Sequence, residues 1–287
     1  MCTALLSIEP GLPVLLAGVR DELMDRAWEP PGPHWPDRPD LIGGLDLQAG
    51  GTWLAVSPPR RRASCVLNAR GQFAPPASRL SRGALPLRAV AGEPIDKNAL
   101  ANTDPFHLIT VEPDRALWQS WDGLVLTERE LGTGLHFAVN SGLAADLHPP
   151  RTQPSAGQGE NGRAHELARI AHFLPRLQAA TRPSPPPTHP GTPALPGTPA
   201  LAGQAAAPRY LGQSTAVAWA GWFPLLNGDG LGTEDDRALI VRRDLGGGRI
   251  WGSTSISLVA LSAAGLRYDF TGKPGDPASW YTVYEGD

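Results

Sequence analysis

The chain holds two cysteines, Cys2 and Cys65, and only the first stands where a residue can activate its own thiol. Removal of Met1 would leave Cys2 in first place, with a thiol and an α-amine on one residue. A free α-amine titrates at roughly 7.7 to 8.0, so it can take a proton near neutral pH. Nucleophile and base would then sit together and need no separate histidine. The same position also suits a small apolar residue that opens an edge strand. Cys65 lies inside an apolar strand pattern and reads as core.

Charged and amide side chains near strand ends are the next candidates. Val19-Arg20-Asp21-Glu22 follows an apolar run at 13–19, and a strand end fixes a side chain while leaving it accessible. Arg20 can clamp a carboxylate with two parallel hydrogen bonds, and Asp21 can hold an amine or orient the surroundings of a thiol. The alternative is a solvated turn whose acids begin a helix. Asn68, at the end of another apolar run, and Arg70 either face a pocket or lie in an exposed turn. Gly43, Gly44, Gly50 and Gly51 do not fit a phosphate loop, because no lysine follows them; tight turns and close packing beside Trp53 explain them better. Arg60 to Arg62 read as a solvated turn.

These residues need a scaffold of strands. Runs at 3–8 and 13–19 predict a hairpin turned at Glu9-Pro10-Gly11, and runs at 52–57 and 63–69 predict a second strand pair. Residues 27 to 40 read as an ordered loop. A short helix candidate and strands at 106–112, 115–121, 124–128 and 135–140 follow. Leu167, Ile170, Ala171, Leu174 and Leu177 recur at helical spacing, which predicts an amphipathic helix over 163–180. Residues 183–208 are proline-rich and of low complexity, an insertion expected to be disordered. Beyond it come a helix at 214–226, carrying Trp219 and Trp222, and strands at 238–243, 249–252, 255–261 and 265–270. Many strands and few helices predict two antiparallel sheets with helices outside, in one domain spanning 1–287.

Composition narrows the function. Of 287 residues 41% are hydrophobic, enough for a sizeable core, and the net charge of -3 gives no reason to expect nucleic-acid binding. No apolar run has the roughly 18 to 20 residues of a membrane span, and the N-terminus lacks the basic start of a signal peptide. The reading is a soluble cytoplasmic protein. Two cysteines and seven histidines without zinc-ligand spacing predict neither a disulfide framework nor a metal site, and no cofactor is called for. The 33 glycines and 31 prolines exceed a usual combined share of roughly 12%, much of the excess lying in the proline-rich insertion.

Met1-Cys2, the strand pair and Val19-Arg20-Asp21-Glu22 together resemble the opening of the NRDE family, the transport and Golgi organization protein 2-like proteins, named for Asn-Arg-Asp-Glu at this place. Gly43-Gly44-Leu45-Asp46, Ala49-Gly50-Gly51-Thr52-Trp53, Asn68-Ala69-Arg70, Ser81-Arg82-Gly83 and Gly252-Ser253-Thr254-Ser255 follow in the family's order. Each piece is short; their order across both ends makes the match. The resemblance implies an α+β fold, a four-layer αββα sandwich of the N-terminal-nucleophile hydrolase type, with kinship to choloylglycine hydrolases and penicillin V acylases. It implies Cys2 as nucleophile, Arg20 and Asp21 as pocket residues, and Asn140, at a strand end, as a candidate oxyanion donor. Asn140 also suits a turn before Ser141-Gly142. Val19 departs from the motif's Asn, so any contact that Asn makes in relatives is absent here. Two functions follow from the resemblance. One is hydrolysis of a non-peptide, small-molecule amide. The other is non-catalytic binding or trafficking of haem or a lipid-like ligand, where haem would have Cys2 or an unassigned histidine as its ligand. Oligomeric state is left open.

Overall fold

The computed structural model describes residues 2–147, 158–182 and 214–286, with the side chains of 158–161 excepted. The proline-rich stretch expected to be disordered lies outside the described residues. The chain opens with the hairpin β1 (Thr3–Ile8) and β2 (Val14–Leu23). A meander follows, made of β3 (Trp28–Gly32), β4 (Ile42–Asp46), β5 (Leu54–Ser57), β6 (Arg62–Asn68), β7 (Phe106–Val111), β8 (Ala116–Trp121) and β9 (Leu126–Leu131). Helix α1 (Ala84–Ala91) is inserted between β6 and β7. The chain then returns through β10 (Gly134–Val139) and β11 (Gly142–Leu143) to helix α2 (Gln158–Ala179). The short helices α3 (Thr215–Ala218) and α4 (Phe223–Leu226) precede β12 (Arg242–Asp244), β13 (Ile250–Ser262), β14 (Gly265–Thr271) and β15 (Tyr281–Gly286).

Two antiparallel sheets result. One is the meander itself, paired in chain order from β3 to β9. The other runs β11-β10-β1-β2-β13-β14-β15, with β12 also on β13, so β1 lies inside it between β10 and β2. Successive side chains of a strand point to opposite faces. Along β1, Ala4, Leu6 and Ile8 enter the core between the sheets, where they meet Leu54, Val56, Cys65 and Ile109. Leu5 points the other way and joins Leu15, Ala17 and Val19 against Phe173 and Leu177 of α2 and Trp219 and Trp222 beside α3 and α4. Both faces are covered, which is why β1 reads as an unbroken apolar run. On the far face of the meander, Leu87 and Val90 of α1 pack on Ala55, Trp35 and Leu41. The layers are therefore α/β/β/α, as expected.

Several expected boundaries move. The segment 27–40 contains β3, and the glycine-rich stretch contains β4, whose Gly43 lets the backbone lie against β5: a Cβ there would stand 2.6 Å from the Leu54 carbonyl oxygen. The helix expected at 214–226 is two short helices, and of the strand expected at 238–243 only Arg242–Asp244 pairs regularly. The two strands expected at 249–252 and 255–261 are one, β13, with a register shift between Ser253 and Ser255. β15, which closes the sheet, was not anticipated; its residues are partly exposed and carry weak alternation.

Candidate active site

Cys2 precedes β1 by one residue and is partly buried at the open end of the sandwich. Its nitrogen donates to Asn140 Oδ1 at 2.9 Å, and its thiol points at the Asp21 carbonyl oxygen, 3.8 Å away. Asn140 reaches this point because β10 pairs with β1 and ends at the same level, Val139 opposite Thr3. Burial pushes the Cys2 thiol above its ordinary range, opposed by nearby positive charge including Arg20. The thiol form is thus the resting one, and its proton must leave as it attacks.

Arg20 and Asp21 lie within β2, not beyond it, so they diverge. Arg20 faces the space between the sheets. It donates to Thr254 Oγ1 at 2.9 Å and to Asp46 Oδ2 at 3.3 Å, and its guanidinium lies 4.5 Å from the Trp53 ring centroid. The register shift in β13 aims Thr254 at Arg20, a common use of a β-bulge beside a site. Asp21 contributes its main chain to the cleft, while its carboxylate turns to the helix layer. There it accepts from Ser253 Oγ at 2.6 Å and lies 3.8 Å from Arg169 of α2. Arg169 is 1% exposed and also donates to Thr3 Oγ1 at 2.6 Å and to the Ala238 carbonyl at 2.8 Å. Val19, the departure from the family motif, is buried among helix-side residues, so its side chain is not a cleft wall.

The thiol opens into a cleft of about 400 Å³ whose walls include Arg20, Trp53, Asn68, Arg79 and Arg82. Asn68 is thus a cleft residue, as one reading had it. Arg70 is not; it is exposed and bonds Ser141 Oγ at 2.8 Å and the buried Glu166 of α2 at 3.4 Å. Asn140 sits behind the Cys2 nitrogen and is not one of the cleft walls. Its geometry favours holding that nitrogen over meeting a carbonyl oxygen. Behind Asn140 stands His107 of β7, whose Nε2 is 3.2 Å from the Asn140 carbonyl and whose Nδ1 is 2.9 Å from Ser120 Oγ. Burial holds His107 down at about 4, so it is neutral at pH 7. The carbonyl can only accept, which places the ring proton on Nε2 and lets Nδ1 accept from Ser120. Asp46, Arg169, His107 and Arg82 were not assigned roles from sequence. Only Asp46 and Arg82 lay in motif pieces already noted, while Arg169 and His107 carried no local signal.

Two facing antiparallel sheets clad by helices define an α+β fold, an αββα sandwich. The sequence pattern described as Transport and Golgi organisation 2 matches residues 1–148, and the chain belongs to that family. No curated protein matches it in a sequence comparison. Among solved structures it is similar to a mutant conjugated bile acid hydrolase from Clostridium perfringens, with a TM-score of 0.40 and 10% identity over 99% of this chain and 92% of that one. No helix among the described residues is long and apolar enough to cross a membrane.

Proposed function

We propose that the protein is an N-terminal-cysteine hydrolase that cleaves a non-peptide amide by acyl transfer to Cys2. The observation that carries this reading is the Cys2 nitrogen held by Asn140 Oδ1 at 2.9 Å while the thiol of the same residue opens into the cleft. Once Met1 is removed, that nitrogen is an α-amine. A neutral amide oxygen accepts its N–H and leaves the lone pair for the thiol, whereas a carboxylate would hold the amine as an ammonium. The amine takes the thiol proton as sulfur bonds to the substrate carbonyl carbon. Asn68, the side-chain amide in the cleft wall, donates to the oxyanion. Collapse breaks the C–N bond, and the departing amine takes the proton from the α-ammonium. Water, deprotonated by the α-amine, then attacks the thioester, releases the acid and restores the thiol.

Intact-protein mass spectrometry with a thiol acylating probe tests the arrangement. Expected are loss of Met1 and labelling at Cys2 but not at Cys65, which burial pushes up to about 12. Cys2→Ala should keep the fold and lose all turnover of an amide substrate. Retained Met1, or full activity in Cys2→Ala, would sink the mechanism and favour a protein that binds its ligand without turning it over.

A further inference from the structure

We infer that the amide substrate carries a carboxylate and that Arg82 recognises it; this rests on the hydrolase reading for the word substrate, but the charge recognition itself does not. The cleft is lined by four arginines, and among the described residues three have carboxylate partners. Arg26 grips both oxygens of Asp46, at 2.7 and 3.1 Å, and Arg20 shares Oδ2 of the same group. Arg79 pairs with Asp104 at 3.1 Å. Of the two other acids in the lining, Glu22 lies 3.8 Å from Arg26, and Asp21 turns its carboxylate away to Ser253 and Arg169. Arg82 has no carboxylate within 4.0 Å among the described residues; its one bond there is from Nη1 to the Pro105 carbonyl, at 2.9 Å.

A guanidinium has five N–H donors in a planar fork matched to a carboxylate, so most of the donors of Arg82 are uncommitted. Partial burial weakens its hold on its charge, offset in part by Asp104, Cys2 and Glu22 at longer range. An incoming anion would relieve that cost. Arg82 is also fixed in place. The next residue, Gly83, accepts from the Thr52 N–H at 2.9 Å, and a Cβ on Gly51 would stand 2.4 Å from the Gly83 carbonyl carbon. The backbones of 51–52 and 83 are therefore in direct contact, and Arg82 is aimed at the cleft before any ligand arrives. Preorganisation of this kind lowers the cost of binding.

The test uses Cys2→Ala protein, which removes turnover, and calorimetric titration with N-hexanoylglycine and its neutral counterpart N-hexanoylglycinamide. The acid should bind at least roughly tenfold tighter than the carboxamide, as one desolvated charge pair allows. Adding Arg82→Gln should abolish that preference and leave the affinity for the carboxamide unchanged, whereas Arg82→Lys should keep part of it. Equal affinity for the two ligands, no binding of the acid, or a preference that survives Arg82→Gln would overturn the proposal. Loss of affinity for both ligands in Arg82→Gln, with Arg82→Lys behaving the same way, would mean that Arg82 is structural and would overturn it too. Charge discrimination in a protein whose Cys2 fails the labelling test would leave recognition standing and remove only the hydrolysis.

Discussion

Two atoms of one residue, the nitrogen and sulfur of Cys2, organise the site, and the neutral amide of Asn140 decides what the nitrogen can do. Replacing that amide by a carboxylate tests this directly. Asn140→Asp puts a negative oxygen against the α-amine and raises its pKa by on the order of one unit. The amine then stays protonated to higher pH, so the acidic limb of the kcat/KM profile should move up by about as much from its expected place near 8. An unmoved limb would show that the Cys2 nitrogen is not the base. At this scale the sequence pointed to Cys2, Arg20 and Asn68, whose residue types carry their own chemical meaning and which all line the cleft. It could not show that Asp21 lines the cleft with its main chain and sends its carboxylate to the other face, because β2 runs on through Leu23. Within a strand, neighbours point apart, so a run that looks like a charge cluster is divided between two faces. Arg169 was invisible for a different reason. Its partners are 166 and 69 residues away, at Thr3 and Ala238, and no local pattern encodes such a meeting.

Among the elements, the hairpin, the meander from β5 onward and α2 were legible from periodicity, because each buries a face at its own regular spacing. β4 and β15 were not. Glycine pairs such as Gly43-Gly44 usually weaken a strand, yet here the absence of a Cβ is what lets β4 lie against β5 and Trp53. The C-terminal elements are joined by a buried acid instead of by apolar pattern alone. Asp269 of β14 accepts from Trp219 Nε1 at 2.8 Å, Thr215 Oγ1 at 3.0 Å and Thr282 Oγ1 at 2.7 Å, and from two nitrogens of Arg267 at 2.6 and 3.0 Å. One side chain thus ties α3, β14 and β15. Asp269→Ala should cost about 3–5 kcal/mol, since it removes one partner of a buried charge pair and strands the other donors. A urea midpoint that falls with an unchanged slope would register this loss; an unaltered midpoint would refute it.

For the whole molecule, His107 links the sheets, since it belongs to the meander and bonds the end of β10 in the other sheet. Its folded value of about 4 lies below the ordinary 6.5, so the unfolded chain binds more protons between those limits. Stability from this group is complete above pH 6.5 and is lost as pH falls toward 4, by about 3 kcal/mol at most. The difference between wild type and His107→Gln in denaturation midpoints, followed from pH 7 to pH 4, should shrink across that window; a constant difference would count against it.

The meander draws all its strands from one continuous stretch, Trp28 to Leu131, whereas the sheet that carries Cys2 joins the two ends of the chain. β2 cannot meet β13 until residue 250 and beyond have been made, and with them come Ser253 for Asp21 and Thr254 for Arg20. During synthesis on the ribosome the meander can therefore pair while the sheet beside Cys2 is still missing its centre. A nascent chain thus holds Cys2, Arg20 and Asp21 long before Ser253 and Thr254, which fix the side chains of Asp21 and Arg20, are added. A chain that stops short of β13 would carry the cysteine beside an arginine and an aspartate without the serine and threonine that fix them.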